Sequence, residues 1–320
     1  MLSSGLSMLW ESDDAELALR ERFGLDGREG AAHWLGEVLA EHWGLVLRAL
    51  PRLTVSGHNA IAWVTGERGP LVVKFSRAEG RFAQLSASTR LLTRLAAQGI
   101  PVAEPLAALD GRVRVEADGP SVPLSLAVLP ELDGTWLDVT DLRSVRAAGA
   151  CLATVHSALG DVDAQDLPHD PPRPLPERLA DWFAERDPGR APAASAHLAE
   201  LLAGLPAPVD SPQLIHGDFR AANLLVRDAQ ITAVLDFDDV RRDHRVADLA
   251  QASTYLATLF RNWGPTPAPA RAALRAGYET VRPLSPLESR WLEALTLWMG
   301  IAAIPPQEDG RWEAAVDRLY

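Results

Sequence analysis

Between two apolar segments, Leu214-Ile215 and Leu224-Leu225-Val226, the chain places the polar run HGDFRAAN. Asp218 and Asn223 stand five positions apart in it, at opposite ends of a loop that must be compact. Asp236 comes ten residues after Val226, behind the apolar run ITAVL. If the two apolar segments pair as a hairpin, Asp236 returns to the side where the loop lies. Two carboxylates and a carboxamide then meet at one sheet end. Hard oxygen ligands of this kind suit Mg²⁺ carrying a phosphate, and a carboxylate on the same loop can orient an attacking hydroxyl. Singly, an Asp or Asn in a loop is ordinarily a turn residue. The agreement of the spacings with the flanking strands is what points to chemistry.

The elements that must hold these residues follow from hydrophobic period and turn residues. Helical stretches over residues 14–23 and 31–47 open the chain. LTVSGHNAIAWVTGERGPLVVKFSR reads as a strand, a glycine turn, a second strand, a turn over 66–70 and a strand over 71–75. RFAQLSASTRLLTRLAAQG reads as a helix ended by Gly99. Short strands are expected in GIPVAEPLAAL, GRVRVEAD and VPLSLAVLPEL. After Leu132 the pattern turns helical, with Thr140 and Asp141 as caps for a helix to about residue 159. LPHDPPRPLPER is a loop, helices follow near 179–186 and 196–205, and QITAVLDFDDV is a strand ending in acids. The fold class is α+β, with a small β-rich lobe and a larger, mainly helical one.

Composition bounds the partners. The 320 residues hold 43 acidic and 31 basic side chains, a net charge of −12, which leaves no basic footprint for nucleic acid or an anionic membrane. The one cysteine, Cys151, excludes an intrachain disulfide and reads as a small buried hydrophobe. The start lacks a basic segment followed by a long apolar core, and no run approaches the roughly 18 apolar residues of a membrane span. The cytoplasm is the expected location.

The order H-G-D-x-x-x-x-N, an apolar strand and then D-F resembles the catalytic loop and metal-binding Asp of the protein-kinase-like fold. The wording HGDFRAANLL…VLDFDDV is similar to the aminoglycoside phosphotransferase and choline kinase superfamily, where the loop reads H-G-D. LVVKFS, AGACLATVH and RVADLAQ fall at matching places, and GYETVRPLSPLE resembles the branch of type II homoserine kinases and antibiotic kinases. The resemblance implies a nucleotide-covering lobe over 1–128, a hinge over 129–132 and a helical lobe over 133–320. It implies that Asp218 receives or orients the proton of a substrate hydroxyl. Asn223 and Asp236 would hold Mg²⁺, and Lys74 the α/β-phosphates of ATP or GTP. The turn Ser56, Gly57, His58 and Asn59 would close over the phosphates. The backbone near Val128, Leu129 and Glu131 would meet the base.

Two features depart from the family pattern. The phosphate-covering turn has Gly57 alone, without G-x-G-x-x-G. The helix after Lys74 has Ser88 where relatives carry an acid, and Glu79 is the nearest carboxylate downstream of the lysine. A partner-binding or nucleotide-binding pseudokinase is therefore the competing reading to an ATP-dependent kinase of a small-molecule hydroxyl. The acceptor would be an amine-bearing antibiotic or a metabolite such as homoserine or choline. Asp161, Asp163, Asp166, Asp170, Asp181 and Glu185 could meet ammonium groups, and a solvated acidic surface explains them equally well. Asp238 and Asp239 either assist the site or end a strand in water. His216, His156 and Asp248 read as scaffold, and Trp182, Trp263, Trp291 and Trp298 as core.

Overall fold

A computed structural model describes residues 5–162, 172–186, 190–260, 263–305 and 310–318. Asp163, Asp166 and Asp170 therefore lie outside the described residues. The chain divides into two compact units, Met1–Asp133 and Gly134–Tyr320.

The first unit is built on a six-stranded sheet in the order β1-β2-β3-β4-β6-β5. Its strands are β1 (Gly5–Met8), β2 (Leu47–Val55), β3 (Asn59–Gly66), β4 (Gly69–Ser76), β5 (Val115–Asp118) and β6 (Pro123–Pro130). Helices α1 (Ala15–Phe23) and α2 (Gly27–Trp43) pack on one face, and α3 (Phe82–Ala97) follows β4. Strand alternation sends Val73 and Phe75 into the core beneath α1 and α2, where the Phe23 and Trp34 rings each lie 5.6 Å from that of Phe75. Lys74, between them, is on the opposite face beside Ile61 and Ala127.

Two expectations are corrected here. Helix α2 ends at Trp43, closed by Gly44 at φ 64°, and Leu47 already belongs to β2. GIPVAEPLAAL forms no strand, because Pro101 and Pro105 cannot donate to a ladder. Lys74 stands inside the sheet, since β4 pairs with β3 on one side and β6 on the other. The structure also adds β1, four residues that pair in parallel with β2.

The second unit carries the hairpin. Strands β9 (Leu224–Arg227) and β10 (Gln230–Val234) pair antiparallel, flanked by β7 (Thr135–Trp136), while β8 (Gln213–Ile215) pairs with β11 (Arg241–Asp243). Around them stand α4 (Leu142–Gly160), α5 (Leu175–Glu185), α6 (Pro192–Leu202), α7 (Arg245–Tyr255), α8 (Ala268–Val281), α9 (Pro286–Ala302) and α10 (Arg311–Val316). Asp141 caps α4, accepting from the Arg143 N–H at 3.1 Å. Helices α4 and α8 touch main chain to main chain. A Cβ at Gly149 would overlap the Leu274 carbonyl oxygen, and one at Gly277 would overlap that of Arg146.

Burial pushes the Cys151 thiol up to about 12, which makes it an inert side chain. Trp291 is core, its indole N–H donating to the Pro206 carbonyl at 2.9 Å, whereas Trp263 is about half exposed and corrects that expectation. Among the described residues no helix is long and apolar enough to cross a membrane.

Candidate active site

The loop between β8 and β9 is folded by its own polar side chains. Asn223 Nδ2 donates to the Asp218 carbonyl and to Asp218 Oδ2, each at 2.8 Å. The Asn223 carbonyl accepts from the Leu235 N–H at 2.8 Å, so the end of the hairpin is tied to the end of the loop. Asp236, the next residue, takes the left-handed conformation at φ 63° and is exposed where β10 ends. Both of the Asn223 Nδ2 bonds go to Asp218, which leaves its side-chain oxygen as an acceptor.

His216 is fully buried and works as a brace. Its Nδ1 accepts from the Asp218 N–H at 3.1 Å, and its Nε2 donates to the Leu235 carbonyl at 3.0 Å. Those two bonds define one neutral tautomer. The ring packs against Phe237 at 4.6 Å and against Phe219 at 5.8 Å, both buried.

Gly217 has no freedom to be anything else. It sits at φ 82°, and a Cβ there would overlap the Asp239 carbonyl oxygen and the Arg241 guanidinium. Its carbonyl accepts from Arg241 at 3.2 Å and from Gln251 Nε2 at 2.5 Å. Its N–H donates to Asp248 Oδ1 at 3.0 Å, beside the His216 N–H on Oδ2 at 2.9 Å. Asp248 is wholly buried, and His156 Nε2 completes its donor set at 2.9 Å. One carboxylate on α7 thus fixes the first two peptides of the loop.

Arg220 is the cation of the site. Its Nε lies 2.9 Å from Asp218 Oδ1 and 3.0 Å from Oδ2. Burial pushes the Asp218 carboxyl above the usual carboxylate range; Arg220 pulls it back and Asp236 adds to the rise. The outcome is a carboxylate more basic than an ordinary Asp.

The oxygen set of Asn223 and Asp236 fits a hard cation that takes its remaining ligands from phosphate and water. Among the described residues no cluster of three or more His, Cys, Asp or Glu side chains forms a protein-only metal cage.

A model of the phosphotransferase enzyme family designated APH matches residues 25–284. The chain belongs to this family. It is 31% identical over 210 residues to a homoserine kinase of Gluconacetobacter diazotrophicus, a match covering 64% of this chain and 63% of the relative. It is 30% identical over 250 residues to a homoserine kinase of Rhodospirillum rubrum, covering 76% of this chain and 74% of that one. The first match thus spans less than two thirds of the relative's own length. Among solved structures, a microcompartment-associated aminopropanol kinase superposes with TM-score 0.63 at 19% identity, covering 90% of this chain and 94% of the other. An amicoumacin kinase bound to AMP-PNP, Ca²⁺ and its antibiotic gives 0.57 at 16% identity, covering 90% and 91%. The fold is protein-kinase-like.

In the first unit of this APH-family chain, the turn over residues 56–59 is closed by Ser56. Its N–H and Oγ both donate to the Asn59 carbonyl, at 2.8 and 3.0 Å, so the buried hydroxyl is spent on the turn itself. His58 is exposed at the tip, and its carbonyl accepts from Ser76 Oγ and the Arg77 N–H. Val128 is buried with its carbonyl accepting from Leu106, and the Glu131 N–H donates to Pro70 at 3.3 Å. Leu129 pairs with Val72 across the ladder.

Helix α3 contains no acidic residue at all. Ser88 is buried on it with no hydrogen-bond partner among the described residues, and Glu79 lies exposed before it. What meets α3 instead is Arg114, buried, bonded to Thr89 Oγ1 at 3.3 Å and Ser125 Oγ at 2.7 Å. Of the acids considered for ammonium recognition, Asp181 is ion-paired to Arg173 at 2.6 Å, and Asp161 and Glu185 are exposed.

Sequence reasoning passed over Arg220, Arg114 and the Arg241–Gln251 grip on Gly217. Arg220 was findable, being a cation two residues from Asp218. Arg114 and Gln251 sent no signal, because their partners are distant in sequence.

Proposed function

We propose that this chain transfers the γ-phosphoryl group of ATP to a hydroxyl of a small amine-bearing molecule, with homoserine the first acceptor to test. The observation that carries the reading is the Asp218–Asn223–Asp236 arrangement, in which a partly buried carboxylate, more basic than an ordinary Asp, is hydrogen-bonded to the Asn223 amide of its own loop, with Asp236 where β10 ends. The homoserine kinases among the relatives support the choice of acceptor; an aminoglycoside-type antibiotic is the second class.

In this reading Asp218 takes the proton of the acceptor hydroxyl as its oxygen bonds to the γ-phosphorus and ADP leaves. Asn223 and Asp236 would hold Mg²⁺, which would supply charge neutralisation to the phosphates. Lys74 meets the α/β-phosphates, the turn over 56–59 covers them, and the backbone near Val128, Leu129 and Glu131 meets the base. Arg220 keeps Asp218 oriented and carries positive charge to the phosphoryl group in transit. Catalysis comes from positioning and electrostatics.

The test is a phosphate-transfer screen with purified protein, ATP and Mg²⁺ across homoserine, choline, aminoglycosides and peptide antibiotics. Transfer to homoserine supports the first acceptor, and transfer to an antibiotic alone moves the reading to the second class. The acid-free helix α3 favours a nucleotide-binding protein without turnover as the alternative. Silence across the panel, with ATP bound normally, would select that alternative.

Asp236→Ala is expected to remove the Mg²⁺-dependent part of ATP affinity, roughly tenfold or more. Calorimetry with and without the metal reads it. Equal losses in both conditions would take Asp236 out of the metal's coordination.

A further inference from the structure

We propose that the cavity walled by the segment before β8, the start of α7 and the junction of α8 with α9 binds a small organic oxyanion, a carboxylate or phosphate group on an apolar body. The site is separate from the loop over residues 216–223, since none of its lining residues bonds to Asp218, Asn223 or Asp236.

The cavity measures about 490 Å³, room for a small metabolite and far more than an inorganic ion fills. Much of its wall is apolar, from Val209, Val246, Leu287 and Trp291. The indole N–H of Trp291 is taken by the Pro206 carbonyl, so this ring offers the cavity no donor. Four charged side chains are set into the wall: Arg245, the first residue of α7, Arg282, which closes α8, Asp210 and Glu288.

Their charges cancel, but their hydrogen bonds do not. Asp210 Oδ1 accepts from His244 Nδ1 at 3.1 Å, and Glu288 Oε2 accepts from the Ser285 N–H at 2.9 Å in the cap of α9. Burial pushes the Asp210 carboxyl up, yet the His244 bond and the neighbouring charges of His244 and Arg245 outweigh it, so it stays an anion. The arginines have no comparable partners. Arg245 Nη2 stops 3.7 Å from Asp210 Oδ2, and Arg282 Nη2 stops 3.6 Å from Glu288 Oε1, which is attraction without a hydrogen bond. Neither guanidinium donates to any described group, and each Nε is buried without an acceptor. With side chains only 17% and 27% exposed, the two are largely withdrawn from water as well. Such a surplus of donors beside an apolar wall suits a head group that only accepts. A carboxylate or a phosphate takes paired N–H bonds from a guanidinium fork. An ammonium ligand would instead meet carboxylates that each have a donor already and an arginine alongside.

Calorimetry on the full chain with phenylacetate, phenyl phosphate, inorganic phosphate and benzyl alcohol tests the site. Phenylacetate or phenyl phosphate should bind saturably with a Kd of about a millimolar or below, and the tighter of the two assigns the head group. Benzyl alcohol lacks the charge and inorganic phosphate lacks the apolar body, so each should bind about tenfold more weakly. Arg245→Gln and Arg282→Gln should each weaken binding about tenfold, the factor that one charge-assisted hydrogen bond represents. Arg282 stands at a helix end, so a normal thermal melt of its variant shows that binding was lost and the fold was not. Heteronuclear NMR should place the ligand by shifts at the Val209 and Leu287 amides. Absence of saturable binding by both organic anions overturns the proposal. So does equal affinity for benzyl alcohol or inorganic phosphate, affinity unchanged in both arginine variants, or shifts confined to the loop over residues 216–223.

Discussion

Asp218→Ala is expected to lower phosphoryl transfer by about a thousandfold while ATP binds within a few-fold of its normal affinity. The two expectations separate because in the proposed reading Asp218 acts on the acceptor, while Asn223 and Asp236 are held by other bonds. Removing the carboxylate deletes one of the two Asn223 contacts, but Asn223 Nδ2 still donates to the residue-218 carbonyl. The Leu235 N–H still donates to Asn223, which keeps Asp236 at the strand end. Arg220 loses its partner and becomes available to phosphate, so binding is buffered against loss. Steady-state transfer and calorimetric ATP binding on the same preparation read both halves. Unchanged turnover would remove Asp218 as the base, and loss of turnover together with ATP binding would mean the loop had collapsed.

Asp248→Ala is the substitution expected to cost most in stability. It strands the His216 N–H, the Gly217 N–H and His156 Nε2 in a site with no solvent access. Leaving three buried donors without their acceptor costs on the order of 3–5 kcal/mol in all, which for a unit of this size lowers the melting temperature by roughly 10 °C. Burial pushes the Asp248 carboxyl up, but the His156 hydrogen bond leads the interactions that outweigh it, so the group stays below the usual carboxylate range. A carboxyl depressed by folding stabilises above its unfolded pKa and loses that contribution as pH falls through the folded value. The wild type should therefore keep this support down to about pH 4. A thermal melt of Asp248→Ala within two degrees of the wild type would contradict the assignment.

The site was more legible in sequence than the framework around it, for a physical reason. The spacing from Asn223 to Asp236 is a short-range matter. Two apolar runs joined by Asp228-Ala229 form a hairpin, and a hairpin of that length returns its second end to the first. The Asp141 cap is equally local. Whatever depended on distant pairing was hidden. Strand order is not written in a single strand, so the LVVKF segment gave no sign that β4 is interior. Four residues, GLSM, are too few to show a period, and β1 is stabilised by its neighbour β2. GIPVAEPLAAL misled because its apolar content mimics a strand, while the prolines decide otherwise. Asp248 grips a peptide 32 residues upstream, and Tyr278 meets a histidine 122 residues away. No local pattern announces either.

The glycines where α4 and α8 touch bear on the history of the chain. Each faces the main chain of the opposite helix, so the first step from either glycine to alanine collides with an atom that cannot swing aside. No compensating change at the other glycine relieves the collision, because the obstacle is backbone and already has the smallest possible side chain nearby. Mutational paths through this crossing are closed one step at a time, whereas exposed positions such as Ala272 and Val281 on the same helix drift freely. Descent with diversification in this lineage should leave the pair of glycines standing while the residues around them turn over.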